Sequence, residues 1–193
     1  ALPICGSLYD AIATLDILPE NIDEWDDQQE GDDTSRNDLR ALANAIQNLP
    51  PDELFYGDKA PIDTPRFLSL MAGEVLVGDP DAYTTFVNNF RLYHEPTLDK
   101  WTIIPTGRDR SFEQIIYAFE GPAILKKKCL ELPRCKEGYR KRLKEVAQLF
   151  VDAQLLKYFN RTVALVQAAG ERDPKKLNSA EMANRARAKL GNR

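Results

Sequence analysis

The sequence is poor in the residues that most often announce chemistry: one histidine, three cysteines and two methionines in 193 residues. A lone His94 excludes every paired-histidine metal site, and any Ser-His-Asp or Cys-His mechanism would have to use it. Three cysteines are too few for a miniprotein built on disulfides. No window approaches the ~18 consecutive apolar residues of a membrane-spanning helix. There is no internal repeat and no Gly/Ser linker. Residues 1–35 contain no Lys or Arg, and no Lys precedes Lys59. What is present is 43% hydrophobic and 29% charged, enough for a packed core and too apolar for wholesale disorder. The length predicts one domain, with room for a tail. The chain opens on Ala1 without a charged and apolar leader pattern, and reads as a processed protein or a piece of a longer one.

The net charge of −4 hides an asymmetry. Residues 1–35 hold ten acidic side chains, whereas residues 121–193 hold 18 Lys/Arg against seven Asp/Glu. Blocks of one sign are commonly solvated faces or interaction surfaces. A pI near 5.2 and the absence of aromatics among the basic residues argue against bulk nucleic-acid binding. An acidic start facing a basic end is the simpler expectation. The run Asp23–Asp33 lacks the alternation, central Gly and distal Glu of an EF-hand loop.

Periodicity divides the chain into an acidic irregular segment (1–33), a central folded part (34–170) and a basic helix or tail (171–193). In the first, Leu8-Tyr9, Ile17-Leu18, Ile22 and Trp25 suggest short edge strands. Ser35 and Asp38 form a capping-box pattern ahead of Leu39, Leu42, Ala43 and Ile46, and Pro50-Pro51 stops that helix. A second helix begins at Thr64-Pro65, turns Phe67, Leu70, Met71 and Val75 inward, and ends at Gly78. Phe90–His94 and Trp101–Ile104 then alternate as strands, joined by Glu95–Lys100 into a hairpin. From there the chain reads as helical. Tyr139, Leu143, Val146, Ala147, Phe150 and Val151 make one stripe, and Leu155, Leu156, Phe159, Val163 and Val166 another, with Asp152 as a cap between them. A polar helix over Ser179–Leu190 closes the chain. The class expected is α+β, mainly helical, with a central β-hairpin.

Because a hairpin returns the chain near its start, Asp81, Asn88, Asn89 and Asp109 can converge although 28 positions separate the two acids. Carboxylates beside an amide oxygen suit a hard cation on a nucleotide, and a separate Asp can orient an acceptor hydroxyl. Spacing alone favours the plainer reading, in which Asp79 and Asp81 cap a turn, the Asn pair satisfies loop backbone and Asp109 caps a helix. Arg108 and Arg110 flank Asp109 as candidate phosphate ligands or as solvated arginines. Cys129 and Cys135 lie six apart across a Pro-containing turn, compatible with a disulfide or with two reduced thiols. Cys5 has no evident partner.

Three blocks carry a family resemblance: Gly78-Asp-Pro-Asp-Ala-Tyr83, Asn88-Asn-Phe-Arg-Leu-Tyr-His-Glu-Pro96 and Ile104-Pro-Thr-Gly-Arg-Asp-Arg-Ser-Phe112. Together they resemble the spore-coat protein H (CotH) kinase family. Asp63-Thr-Pro-Arg-Phe-Leu with Ala72-Gly-Glu-Val-Leu resembles its helix before the catalytic loop. Leu132–Leu143 resembles its tyrosine-bearing helix after the site. The likeness is strongest over 34–156. It implies the C-terminal lobe of an atypical protein-kinase-like fold that transfers phosphate from ATP to protein Ser/Thr. Asp81 would then be catalytic, Asn88 or Asn89 with Asp109 would hold Mg²⁺ or Mn²⁺, and Arg108 and Arg110 would lie beside the nucleotide. The chain departs from the pattern at Asp79-Pro80, at Ala82 and at Gly107, where many members carry a further Asp. The missing early Lys and Gly-rich loop imply that the nucleotide clamp belongs to a separate N-terminal lobe. The resemblance also implies an extracytoplasmic or spore-surface setting and a surface or coat protein as substrate. A catalytically silent coat scaffold is the alternative.

Overall fold

The computed structural model describes residues 6–25, 28–30, 35–173, 175 and 179–191. Along them run β1 (Ser7–Asp10), a 3-10 turn (Pro19–Glu24), β2 (Gln28–Glu30), α1 (Asn37–Asn48), α2 (Pro51–Phe55), α3 (Thr64–Val77), α4 (Tyr83–Phe86), β3 (Phe90–Glu95), β4 (Lys100–Pro105), a second 3-10 turn (Arg108–Arg110), α5 (Ile124–Glu131), α6 (Pro133–Asp152), α7 (Leu155–Arg172) and α8 (Ala180–Gly191). The fold is α+β, helix-rich, with an antiparallel sheet in the order β2-β1-β3-β4. Cys5 and, from the acidic run, Asp26, Asp27, Asp32 and Asp33 lie outside the described residues. Two compact units divide the chain, Ala1–Val146 and Ala147–Arg193.

The hairpin forms as its alternation predicts, each strand one or two residues longer than expected. Phe90 pairs with Pro105 at one end and Glu95 with Lys100 at the other. Phe90 and Leu92 are fully buried, and Trp101, Thr102 and Ile103 fill the facing strand. Leu8-Tyr9 is a strand, but an interior one. β1 lies between β2 and β3, with Tyr9 opposite Leu92. Ile17-Leu18, Ile22 and Trp25 form no strand. Pro19 favours a helical first turn, and the 3-10 turn sends Ile22 into the core.

In α1, Leu39, Leu42, Ala43 and Ile46 are each at most 2% exposed, as their spacing requires. The expected capping box does not form there. Arg36 takes the N-cap position in the left-handed region (φ 56°) without a side-chain cap. Asp38 instead accepts from the Tyr9 hydroxyl at 2.5 Å and lies 3.2 Å from His94 Nδ1. His94 has Asp99 Oδ1 at 2.9 Å from Nε2, and its ring stacks on Trp101 at 4.4 Å. Its role is to fasten the hairpin to α1.

α3 is capped by Asp63, whose carboxylate accepts the Arg66 N–H at 3.2 Å. Gly78 ends it in the left-handed region (φ 61°), where a side chain would be strained. Phe67, Leu68, Leu70 and Met71 face the core, while Val75 is half-buried. The chain is not continuously helical after the hairpin. Residues 106–123 form a loop interrupted by one 3-10 turn. Cys129 and Cys135 are joined in a disulfide between α5 and α6. Both are fully buried, as is Tyr139, whose hydroxyl donates to Ala118 O at 3.0 Å.

In the second unit, α7 shows its apolar stripe to solvent at Leu155 and Val166, with Phe159 and Val163 half-buried. Asp152 does not cap it. Asp152 is the last residue of α6 and accepts from Gln148, and Gln154 holds the N-cap position of α7. The Ser179 hydroxyl accepts the Met182 N–H at 3.2 Å and starts α8 as expected. Among the described residues no helix is long and apolar enough to cross a membrane.

Candidate functional site

The site is built where α3 stops. Gly78 turns the chain into Asp79-Pro80-Asp81, and the short α4 carries it back toward β3. Val87 and Asn89 both adopt positive φ (54° and 52°), which Asn tolerates better than most residues. That turn aims both asparagine side chains at Asp81. Asn88 Nδ2 donates to Asp81 Oδ1 at 3.0 Å. Asn89 Nδ2 lies 3.0 Å from both Asp81 Oδ2 and Asp81 O, and 3.3 Å from Gly107 O. Gly107 lies at φ 55°, and a Cβ there would sit 2.8 Å from Asn89 Cγ. A side chain at this place would press on Asn89 and require it to shift.

Below this surface lies a buried charge cluster. Asp79 is fully buried. Its Oδ1 accepts the Asp81 N–H at 2.9 Å, and its Oδ2 accepts from Arg108 Nη1 at 2.8 Å. Glu74, on the inward face of α3, accepts from Arg108 Nη2 at 3.1 Å and from the Thr84 N–H at 2.9 Å. Burial pushes the Glu74 carboxyl above its ordinary range, and Arg108 opposes that rise. Lys126 of α5 is fully buried, and its Nζ meets no hydrogen-bond partner among the described residues. Burial lowers its pKa to about 8, against the field of Glu74 and Glu120.

The sequence-predicted residues therefore separate. Asp81, Asn88 and Asn89 are joined. Asp109 sits exposed on the second 3-10 turn, with no side-chain hydrogen bond to them among the described residues. Arg110 is half-exposed and paired with Glu113 through two contacts of 3.0 and 2.8 Å, with Asp81 and Asp79 contributing to its field. Arg108 is turned inward to the buried carboxylates. Sequence reasoning missed Glu74 and Lys126. The signal for Glu74 was a lone carboxylate on the apolar face of α3, spaced with Leu70 and Met71.

Among the described residues no group of three or more His, Cys, Asp or Glu is arranged to hold a metal ion. The donors at this site are a carboxylate and two amides, an oxygen set that fits a hard cation. Each amide gives its N–H to Asp81 and keeps its carbonyl oxygen for another partner.

An α+β scaffold that presents one carboxylate, held by two amides, at the mouth of a hairpin defines the class. The family follows from comparison. The chain matches the model described as CotH kinase protein over residues 9–190, and it belongs to the CotH kinase family. A search among curated proteins gave no match.

Proposed function

We propose that the chain carries the acceptor side of a phosphoryl-transfer site, moving phosphate from ATP to a Ser or Thr hydroxyl of a protein. The observation that supports this most directly is the Asp81–Asn88–Asn89 cluster, in which both carboxylate oxygens of Asp81 are fixed by neutral donors. Amide donors hold the side chain in one rotamer without neutralising it, as a hydroxyl-orienting base requires. In the reaction the acceptor oxygen bonds to the γ-phosphorus, the bond from that phosphorus to the bridging oxygen breaks, and the hydroxyl proton passes to Asp81. Asn88 and Asn89, with Asp109 across the loop, would hold Mg²⁺ or Mn²⁺, which supplies charge neutralisation to the phosphates. Arg110 would meet the phosphates at the rim after leaving Glu113. The nucleotide clamp with its Lys would come from an N-terminal lobe upstream of this sequence. An extracytoplasmic or surface setting fits the Cys129–Cys135 disulfide.

One observation favours a catalytically silent scaffold instead. Asp109 is not drawn into the cluster, so the second carboxylate a metal would share stands apart. The deciding experiment compares wild type and Asp81→Asn in the protein with its upstream sequence, using labelled ATP and Mn²⁺. Loss of phosphate incorporation on the order of 10²-fold or more is expected. Incorporation that persists in the variant removes Asp81 from the role.

A further inference from the structure

We propose that Arg108 is a positioning residue that locks the Asp79–Asp81 turn to the turn bearing Asp109, and that it does not bind nucleotide phosphate. The consequence for catalysis rests on the phosphoryl-transfer reading; the lock itself rests on hydrogen bonds alone.

Residues 79–81 and 107–109 must be brought together from either side of the hairpin. Backbone pairing brings them near, since Thr106 N–H donates to Asn89 O at 2.8 Å. Arg108 then fixes the distance. Its Nη1 donates to Asp79 Oδ2 at 2.8 Å, and its Nη2 lies 3.1 Å from both Glu74 Oε1 and Asn89 O. The other oxygen of Asp79 holds the Asp81 amide, so two hydrogen bonds connect the guanidinium to the backbone of Asp81. The acceptors come from α3, the loop after it and the start of the hairpin. A planar fork can meet three such acceptors at once, whereas an ammonium presents a single point of charge.

The hydrogen bonds of Arg108 all run inward, although 26% of its side chain stays accessible. Both carboxylates it serves are at most 3% exposed, and its Nε is itself buried without a hydrogen-bond partner among the described residues. Turning the side chain out to a phosphate would take the ion-pair partner from two buried carboxylates. Arg110, two residues on, has only the half-exposed Glu113 to leave.

The test reads amide hydrogen exchange at Asp81 and Mn²⁺ binding in Arg108→Lys, Arg108→Gln, Asp79→Asn and Arg110→Gln. Arg108→Lys keeps the buried positive charge, and Asp79→Asn approaches the same link from the other side, so a folding failure of Arg108→Gln does not end the test. Exchange at Asp81 is expected to rise on the order of tenfold or more in Arg108→Lys and Asp79→Asn, and to stay unchanged in Arg110→Gln. Mn²⁺ affinity is expected to fall by a similar factor in the same two variants. Unchanged Asp81 protection in Arg108→Lys, with ATP affinity reduced instead, would overturn the proposal. Should wild type together with its upstream sequence bind neither Mn²⁺ nor ATP, the phosphoryl-transfer reading falls, and the exchange measurement still decides what Arg108 does.

Discussion

The apolar faces of α1 and α7 are written in the same periodicity and meet different surroundings. In α1 of the first unit, Leu39, Leu42, Ala43 and Ile46 are at most 2% exposed; in α7 of the second, Leu155 and Val166 are 41% and 55% exposed. The first unit has a sheet, a disulfide and a set of aromatics to bury its stripes. Trp25 and Tyr83 both pack on Phe90, at ring separations of 5.6 and 4.6 Å. Among its described residues the second unit, taken by itself, holds the end of α6, the amphipathic α7 and the polar α8, with local pairs such as Gln167–Glu171 and Glu181–Arg185. Such pairs are worth only a few tenths of a kcal/mol each. Periodicity states which face of a helix seeks burial; the rest of the fold decides whether anything covers it.

The sharpest way to break this contrast is to cut into the first core. Leu92 is fully buried in β3, opposite Tyr9 and Ile103. Leu92→Ala is expected to lower unfolding free energy by about 3 kcal/mol, from lost transfer energy and the cavity left behind. Urea unfolding followed by Trp fluorescence measures it, since both tryptophans, Trp25 and Trp101, lie in that core. A loss under about 1 kcal/mol would mean that the core of 6–146 relaxes freely, against its packing.

The elements that were legible in the sequence are those whose signal is local. α3 has a first-turn Pro and a closing Gly, and both act as their chemistry dictates, while Asp63, not singled out as a cap in the sequence, supplies the N-cap before Thr64. The hairpin was legible because alternation and a loop of fixed length determine a return. That return brings Thr106 back beside Asn89, whereas the meeting of Asp81 with Asn88 and Asn89 is made by the α4 turn before the hairpin, and Asp109 is not drawn in. What stayed hidden depends on tertiary partners. A four-residue strand such as β1 does not state whether its neighbours lie on one side or both. Glu74 and Lys126 look like ordinary helical charges until the elements pack around them. Arg108 and Arg110 are equivalent in sequence terms, yet the turn started by Gly107 at positive φ sends one inward and leaves the other at the rim. Asp152 was misread because its capping potential is real, but the chain places Gln154 at the helix start.

Lys126 gives an intermediate effect and sharpens what burial means in the first unit. Its folded pKa is about 8, below the ordinary lysine value of 10.5. Below pH 8 the lysine is charged in both folded and unfolded states, and the cost of burying that charge is fully present. Between pH 8 and 10.5 the unfolded chain binds more protons than the folded one, so this contribution to stability rises with pH. Relative to Lys126→Met, wild type should therefore gain on the order of 1 kcal/mol per pH unit within that window. Urea midpoints of both proteins at several pH values, at constant ionic strength, test it; the subtraction removes the titration of tyrosines common to both. A difference that stays flat would mean that Lys126 is solvated.

The smallest expected effect belongs to the exposed stripe of α7. Leu155 and Val166 are 41% and 55% exposed, and Gln is at least as good a helix former as Val and close to Leu. Leu155→Gln with Val166→Gln should change the unfolding free energy of the first unit by less than about 0.5 kcal/mol. Helical circular dichroism should also stay within error, because neither substitution costs propensity. Leu92→Ala and this pair form one comparison, equal in kind as losses of apolar surface and opposite in expected size. A loss of about 1 kcal/mol or more from the α7 pair would break it, because removing apolar atoms is costly only where other atoms cover them. Such a result would make the stripe a buried face in the working protein, and the amphipathic pattern of α7 would then have the same cause as that of α1.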